Sequence, residues 1–482
     1  MTTIIGNEIN SNQPLTISDT ELNQHLLIIG TTGSGKTNSI LNFVNSGLSR
    51  NLPIIYMDGK GSPDLIYRLA IMAKKYNRTF KVFALRPNLP HIKPYLASYN
   101  PFSSGGATEW KNRIMSLFTA VNSRGQEHFS LGEQHYINFV ANVLAKMHES
   151  GAHIDLKILL SLLENRISLV QHAHYLNLTI MAQKLTLLNN NKDIQSLLGD
   201  VLKLLELFIY SDYGYLFNTI EHQHNIINIK QSILDNEIVL FLFDASAYPE
   251  DTAKIAKMVI NDINSSFASF EKPKKCFCIF DEFASYASSN LAETISLHRS
   301  QGMHAIIGTQ SINTVKLKNQ DSKRIAEELI ASCNTYMVHT INHPIDANIF
   351  ADIMGTHEIE KIQTKSIINK DPQNNLLMKN SYRTSNIQNK YNNYYERHKN
   401  SIFSVHRIFR NLQLFNHKIW INQNINTHNT PEETIISYTQ TSSLVREYKV
   451  NPQNYKTLAT GMAIIYRKAI QDCPRTIMVN QI

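Results

Sequence analysis

Short apolar runs alternate with segments of helical spacing over the first hundred residues of the chain. Residues 26–29, 53–57 and 80–85 have the length and β-branched content of buried parallel strands. Between the first two runs, residues 38–48 place their apolar side chains at helical spacing, and Pro63 is suited to begin the next helix. Strands that alternate with helices in this way predict an α/β fold with a parallel, doubly wound sheet.

The pattern changes near Thr108. From there to Leu207 the apolar spacing is helical and strand-like runs are missing, which predicts an all-helical segment inserted between two halves of the sheet domain. Apolar runs resume at residues 237–243, followed by a predicted helix over residues 251–270. Further strands are predicted at residues 276–280, 303–309, 336–340, 460–466 and 476–479, and residues 2–5 and 14–17 are predicted to pair as a hairpin.

A glycine-rich loop follows the first apolar run and leads into the first helix. It reads Gly-Thr-Thr-Gly-Ser-Gly-Lys-Thr over residues 30–37, a full match to the phosphate-loop pattern. Glycines let successive N–H groups turn toward phosphate oxygens, and the helix N-terminus adds its positive dipole. A strand before and a helix after favour this interpretation over a chance match. We predict nucleoside triphosphate binding by Gly30, Thr31, Thr32, Gly33, Ser34, Gly35, Lys36 and Thr37.

Within this loop, Lys36 can reach the β- and γ-phosphates, and the Thr37 hydroxyl can ligate Mg²⁺. A hydrolytic site also needs a carboxylate for the metal and a group that orients the attacking water. Asp281 and Glu282 follow the predicted strand at residues 276–280 and could supply both functions. Because the carboxyl ends of parallel strands share one sheet edge, we expect this pair to face the phosphate loop.

Two further side chains are candidates for the reaction, each with a simpler alternative. Gln310 follows another predicted strand and could sense the γ-phosphate, or it could cap the strand end. Arg299 could stabilise charge on the transferred phosphoryl group across a subunit boundary, or it could be a basic residue at a helix C-terminus.

Charge is concentrated in the C-terminal quarter of the chain. The net charge is +8, yet residues 356–482 alone carry 17 Lys and Arg against 8 Asp and Glu. This excess suggests contact with a polyanion, nucleic acid first and a membrane surface second, with a solvated basic face as the alternative. Residues 365–430 interleave tyrosines such as Tyr391 with Lys390, Arg397 and Lys399, as in a single-strand stacking platform. An irregular, asparagine-rich surface insertion is the favoured alternative.

The remaining composition indicates a soluble, cytoplasmic protein. No stretch has the length of a membrane-spanning helix, and no signal peptide precedes the first strand. The four cysteines are too few for a disulfide framework, and their spacing does not suggest zinc. Cys276 and Cys278 are two positions apart in an apolar run, so they should face the same side of a strand.

Several blocks of the chain together resemble the type IV secretion coupling proteins, the TraD/TraG-like conjugative DNA-transfer ATPases of the FtsK/HerA superfamily. The phosphate loop with its leading His25 resembles the first block of that family. The later blocks that carry the resemblance are residues 58–61 (Asp-Gly-Lys-Gly), 213–217 and 236–240 at the return to the sheet, 280–283 (Phe-Asp-Glu-Phe), 299–302, 309–311 and 458–465. The resemblance implies a RecA-like P-loop NTPase with a mostly parallel sheet, an inserted all-helical domain and a basic C-terminal segment.

The resemblance also implies domain boundaries. Residues 1–103 and 213–360 would form the ATPase domain, 104–212 the all-helical domain, 361–430 a polar basic insertion and 431–482 the closing strands. The family's N-terminal membrane anchor is missing, and residues 365–430 have no counterpart, so we expect membrane contact only through partners, with the protein peripheral at the inner membrane.

The function implied by the resemblance is an ATP- and Mg²⁺-dependent translocase of single- or double-stranded DNA in conjugative transfer. It would work as a hexameric ring with a central channel, with Arg299 as the trans-acting finger and Gln310 as the sensor. Relaxosome or secretion-channel proteins would be its partners. Two alternatives stay open: a HerA-like or secretion-energising ring ATPase not dedicated to conjugative DNA, and a nucleotide-gated adaptor that docks a relaxosome or secreted protein.

Overall fold

A computed structural model of the chain describes residues 1–118, 131–219, 225–316, 320–369, 435–470 and 472–482. These residues form two compact units, one of Met1–Met354 with Val450–Ile482 and the other of Gly355–Lys449. The second unit begins before and ends after the predicted polar insertion at 361–430. The domain boundaries proposed from the sequence stay predictions.

The first unit contains a large sheet. Its strands are β1 (Thr2–Glu8), β2 (Pro14–Ser18), β3 (Leu26–Ile29), β4 (Ile54–Asp58), β5 (Phe80–Ala84), β8 (Ile238–Leu242), β9 (Cys276–Asp281), β10 (Met303–Thr309), β11 (Thr335–Val338), β14 (Met462–Arg467) and β15 (Arg475–Val479). In the described residues the order is β2-β1-β15-β14-β11-β3-β10-β9-β4-β8-β5. From β11 to β5 the neighbours run parallel, whereas β14, β15, β1 and β2 join antiparallel. The predicted N-terminal hairpin is confirmed, and so is the mostly parallel sheet.

Helices cover both faces of this sheet and connect its strands. They are α1 (Asp19–Leu22), α2 (Lys36–Ser49), α3 (Pro63–Lys75), α4 (Ala107–Phe118), α5 (Leu131–Glu149), α6 (Leu156–Glu164), α7 (Arg166–Tyr175), α8 (Thr179–Asn189), α9 (Lys192–Ile209), α10 (Ile229–Leu234), α11 (Pro249–Ala268), α12 (Ser289–Leu297), α13 (Ile312–Lys316), α14 (Gln320–Ser332), α15 (Pro344–Met354) and α16 (Pro452–Lys456). Two-residue strands β6 (Ser98–Tyr99) and β7 (Ile226–Ile227) pair with each other.

The inserted segment is helical from α4 to α9, as the apolar spacing predicts. Its core is continuous with one face of the sheet, because the buried side chains of α4 and α5 belong to the same apolar cluster as those of β9 and β10. A buried ion pair reinforces this junction, with Arg113 Nη2 of α4 placed 2.9 Å from Asp262 Oδ1 of α11. Tyr99 donates a further hydrogen bond to Asp262 over 2.9 Å.

The second unit is an antiparallel ribbon in its described part. Strand β12 (Thr356–Asn369) pairs with β13 (Ile435–Tyr448) in one continuous register from Thr356 opposite Tyr448 to Asn369 opposite Ile435. Lys361 Nζ lies 2.6 Å from Glu447 Oε1 across the ribbon. The residues predicted to contact nucleic acid lie outside the described part of the chain. They are Lys390, Tyr391, Arg397 and Lys399, together with Arg407 and Arg410, two further cations of the basic C-terminal quarter for which we also predict such contact.

Cys276 and Cys278 do face the same side of β9, with their Sγ atoms 3.8 Å apart. Within the described ranges, no helix combines the length and the apolar character that crossing a membrane requires.

Candidate functional site

The phosphate loop lies between β3 and α2, at the carboxyl edge of the parallel sheet. Gly33 and Gly35 have φ values of 79° and 111°, in the left-handed region that favours glycine. Gly30 is needed for a different reason, because a Cβ there would lie 2.5 Å from His339 Cβ. Lys36 is the first residue of α2, and Thr37 is exposed beside it at the positive end of the helix.

Backbone hydrogen bonds from three distant segments support the loop. Gly30 N donates to Thr309 O over 3.2 Å, and Thr31 N donates to Thr340 O over 2.8 Å. On the other side, Gly461 N donates to Ser34 O over 3.0 Å. The loop is therefore fixed to the ends of β10 and β11 and to the segment before β14.

The ammonium group of Lys36 lies over the loop. It donates to Gly30 O over 2.6 Å and lies 3.4 Å from Thr31 O. Burial lowers the pKa of Lys36, while the carboxylates of Glu282 and Asp281 act to raise it. The acidic pair across the cleft therefore offsets only part of the effect of burial on this pKa.

Asp281 ends strand β9 and is fixed by its neighbours. Tyr56 donates a hydrogen bond to its Oδ2 over 3.0 Å, and Glu282 N donates to Oδ1 over 2.9 Å. Strand β10 leaves room for this carboxylate only because position 308 is glycine, where a Cβ would lie 2.5 Å from Asp281 Oδ1. Burial raises the pKa of Asp281.

Glu282 follows with φ of 49°, a turn that directs the chain away from the strand. Its Oε2 accepts a hydrogen bond from Gln310 Nε2 over 2.9 Å. Burial raises the pKa of Glu282, and the bond from Gln310 opposes that rise. The structure therefore brings together Lys36, Asp281, Glu282 and Gln310, while their roles stay predictions.

These groups surround one cleft of about 300 Å³. Its wall includes several residues that the sequence did not suggest as part of a site, of which the most notable are Asp58, Lys60, Arg68 and Thr460. Asp58 and Lys60 belong to the Asp-Gly-Lys-Gly block after β4, so that block was the signal that could have identified them. Thr460 belongs to the block at residues 458–465, whereas no local pattern distinguishes Arg68.

Arg299 is not part of this cleft. It is exposed in the turn between α12 and β10, and its carbonyl oxygen accepts a hydrogen bond from Gly302 N over 3.3 Å. Gln310 follows the other end of β10, a separation of roughly 20 Å along a seven-residue strand. Arg299 is therefore far from the phosphate loop of its own chain.

His25, the histidine before the first strand, has a structural position away from the cleft. Its Nε2 lies 2.8 Å from Ile295 O, and its Nδ1 lies 3.2 Å from Ala305 N. One nitrogen faces an acceptor and the other a donor, which fits the neutral ring with its proton on Nε2. Burial lowers the pKa of His25 to about 4. The residue ties the start of β3 to α12 and β10.

Two family models match the chain in succession. Residues 4–262 match the model described as the central domain of the helicase HerA. Residues 275–410 match the model described as the TraM recognition site of TraD and TraG.

Individual relatives agree with these matches. The type 4 coupling protein DotL of Legionella pneumophila is 21% identical over 420 residues, covering 75% of this chain and 53% of that protein. The chain thus spans about half the length of this relative. An uncharacterized protein of Mycoplasma pneumoniae is 33% identical over 116 residues, which are 20% of this chain and 92% of that protein.

Solved structures of the bacterial conjugative coupling protein TrwB share the fold. The unbound TrwBdeltaN70 has a TM-score of 0.60 at 13% identity, covering 98% of this chain and 88% of that one. TrwB in complex with ADP and Mg²⁺ has a TM-score of 0.59 at 14% identity, covering 99% and 89%. The expected RecA-like P-loop fold is confirmed. The match to the TraM recognition site of TraD and TraG and the similarity to DotL support the expected resemblance to the type IV coupling proteins. Because the first model covers more than half of the chain, the chain belongs to the helicase HerA central-domain family.

Proposed function

We propose that this chain is an ATPase that moves DNA in type IV secretion or conjugative transfer and works as a ring. The observation that carries the proposal is the convergence of Lys36, Asp281, Glu282 and Gln310 on one cleft beside the phosphate loop. A loop that only bound phosphate would not require a carboxylate pair of which one member is held by a tyrosine and the other by an amide.

The residues of the cleft fit ATP with Mg²⁺. The side of Gly33 where a side chain would stand is open, so a phosphate can approach its backbone. Thr37 exposes its hydroxyl at the same helix end, and Asp281 lines the opposite wall. Hydroxyl and carboxylate oxygens are ligands that Mg²⁺ prefers. Thr37 and Asp281 would hold the ion, which supplies charge neutralisation at the β- and γ-phosphates when bound.

Each side chain then has a definite task. Lys36 moves its ammonium from the loop carbonyls to the β- and γ-phosphates, since both are acceptors within reach of a flexible stem. Glu282 accepts a hydrogen bond from the attacking water and directs it at the γ-phosphorus. Gln310 keeps the Glu282 carboxylate in that orientation through its amide. Asp281 is kept in place by Tyr56.

Two observations support DNA as the transported substrate, the net charge of the chain and its similarity to coupling proteins. The chain carries a net charge of +8 with the excess after residue 355, and such an excess favours a polyanion. DotL and TrwB are both named as coupling proteins, and TrwB is described as conjugative. The match to a TraM recognition site supports a relaxosome protein as partner.

Ring assembly is supported by the position of Arg299. An exposed arginine at the other end of β10 from Gln310 can serve catalysis only in a neighbouring subunit. The family resemblance implies a ring of six subunits. Contact with a membrane would be made through partner proteins.

An alternative function is that of a ring ATPase related to HerA that is not dedicated to conjugative DNA. This alternative is supported because the HerA model covers residues 4–262.

The test is an ATPase assay of the full chain without DNA, with single-stranded DNA and with double-stranded DNA. We expect hydrolysis that DNA stimulates, with Glu282→Gln as the matched control that binds ATP and turns it over slowly. Equal rates for wild type and Glu282→Gln would contradict the proposal, and hydrolysis indifferent to DNA would favour the alternative.

A further inference from the structure

Lys60 is an exposed cation at the wall of the phosphate cleft. It follows β4 by two residues and lines the same cavity as Lys36, Asp281 and Glu282. In the described part of the chain, its ammonium group has neither a hydrogen-bond acceptor nor an ion-pair partner, in contrast to Lys36. The Lys60 ammonium is therefore available to a ligand that enters the cleft.

The turn that carries Lys60 does not depend on the lysine side chain. Asp58, which is 3% exposed, accepts three backbone hydrogen bonds, from Lys60 N at 3.1 Å, Gly61 N at 3.0 Å and Ser62 N at 3.1 Å. Gly61 supplies the φ of 74° that closes the turn. The backbone is therefore fixed by Asp58 and Gly61, and the Lys60 side chain is left free for another contact.

This turn lies beside the acidic pair. Strands β4 and β9 are parallel neighbours in which Asp58 is opposite Asp281. Gly59 N donates to Asp281 O over 3.2 Å, and a Cβ at Gly59 would lie 3.0 Å from Glu282 O. Because Glu282 must face the water that attacks the γ-phosphorus, the turn borders the position of the terminal phosphate.

The charge of the cleft makes a second cation useful. Four carboxyl groups line it, those of Asp58, Asp64, Asp281 and Glu282. Three cations oppose them, and two of these have partners within the described residues. Lys36 lies on the loop carbonyls, whereas Arg68 donates to Asn38 Oδ1 over 2.6 Å and to Ile482 O over 2.9 Å. Among the described residues that line the cleft, Lys60 is then the cation that a triphosphate meets without a partner of its own.

We propose that Lys60 is a second phosphate-binding cation, presented by the Asp58 turn to the terminal phosphate of the nucleotide. The inference rests on the proposed nucleotide-binding function and adds to it a residue that distinguishes ATP from ADP. Lys36 reaches the phosphates from the loop side, and Lys60 reaches the γ-phosphate from the β4 side. ADP lacks that phosphate, so it does not engage Lys60.

The test measures binding, with hydrolysis excluded. The dissociation constants of the β,γ-imido analogue of ATP and of ADP, both with Mg²⁺, are determined by calorimetry for the full-length wild type, Lys60→Met and Lys60→Arg. Lys74→Met is the matched control, since Lys74 is an exposed lysine on the last turn of α3, outside the cleft. We expect Lys60→Met to bind the analogue about ten- to a hundredfold more weakly and ADP within about threefold of wild type. Lys60→Arg should retain most of the preference.

An unchanged ratio of the two dissociation constants in Lys60→Met overturns the inference while leaving the proposed function intact. An equal loss for both nucleotides also overturns it, because a cation at the terminal phosphate cannot act on ADP. Failure of the wild type to bind either nucleotide would instead remove the proposed function, and the inference with it. Equal thermal unfolding midpoints for Lys60→Met and Lys74→Met exclude a folding defect as the cause.

Discussion

The side-chain amide of Gln310 donates a hydrogen bond to the carboxylate of Glu282, with 2.9 Å between Nε2 and Oε2. The two residues follow β10 and β9, which are parallel neighbours in the sheet. Their side chains therefore meet at the carboxyl edge, and each limits where the other can turn.

We predict that Gln310→Leu binds nucleotide with nearly wild-type affinity but hydrolyses it about a hundredfold more slowly, because an untethered Glu282 no longer directs the water. Calorimetric binding and steady-state hydrolysis separate the two effects. Gln453→Leu, a change at an exposed glutamine outside the cleft, should alter neither. Loss of nucleotide binding in Gln310→Leu would assign the amide to the phosphates instead.

Lys36→Ala should abolish nucleotide binding or turnover, because no other residue of the loop carries a cation that could reach the γ-phosphate. Fluorescent-nucleotide titration and phosphate release measure the two quantities. Lys74→Ala removes an exposed lysine of α3 and serves as the control. Wild-type turnover in Lys36→Ala would reject the loop as the nucleotide site.

Acid should destabilise the fold through His25. Burial lowers the pKa of His25 to about 4, so the unfolded chain binds a proton that the folded chain excludes. The neutral ring contributes roughly 3 kcal/mol to the free energy of unfolding above a pH of about 6.5. This contribution is lost as the pH falls from about 6.5 to about 4. Denaturant titrations between these pH values measure the decline in the free energy of unfolding.

The matched variants for this effect are His25→Asn and His174→Asn. Asparagine tolerates the positive φ of 62° at position 25, so the first change tests the ring rather than the backbone. It should lower the free energy of unfolding at neutral pH. It should also reduce the slope of that free energy against pH by the equivalent of about one bound proton. His174 is exposed, and its replacement should leave the slope unchanged. An equal slope in both variants would assign the acid sensitivity to other groups.

Arg299 can be tested by mixing subunits. Arg299→Ala should retain nucleotide binding but lose turnover by several orders of magnitude, roughly the 10³–10⁵ of an arginine finger. A mixture with Lys36→Ala creates interfaces that join an intact loop to an intact arginine, so hydrolysis should partly recover. If the two variants assemble together and nothing recovers, Arg299 acts only as a cation near the end of α12.

The junction between the helical segment and the sheet should depend on Asp262. Replacing it with alanine leaves Arg113, which is fully buried, without its carboxylate. We expect Asp262→Ala to lower the free energy of unfolding by about 3–5 kcal/mol. Glu250→Ala is the control on the same helix, since Glu250 is 85% exposed and its ion pair with Lys254 is at the surface. A change below about 1 kcal/mol in Asp262→Ala would show that Arg113 finds a new partner or that water enters.

The parts of the site that the sequence predicted are those encoded by neighbouring residues. The apolar run before Gly30, the spacing of its glycines and the run before Asp281 are local patterns with a direct physical meaning. The convergence of the two strand ends also follows, because parallel strands of one sheet share a carboxyl edge. Gln310 could be placed near the site on the same ground.

The parts that could not be predicted depend on contacts between distant segments. Gly461 supports Ser34, and Thr460 lies at the cleft, only because β14 joins the sheet beside β11. No local sequence pattern encodes the pairing of β14 with β11. The bond from Tyr56 to Asp281 is of the same kind, since a tyrosine in an apolar strand reads as core. His25 was noticed for its position in a motif, but only the fold reveals its partners.

The pairing of β1 with β15 has a consequence for synthesis of the protein. The ribosome makes the phosphate loop early and makes Gly461 and β15 hundreds of residues later, so the loop emerges long before its support. Contacts of such sequence separation form late and slowly in folding. The phosphate loop therefore lacks the hydrogen bond from Gly461, and the cleft lacks Thr460, until the closing strands enter the sheet.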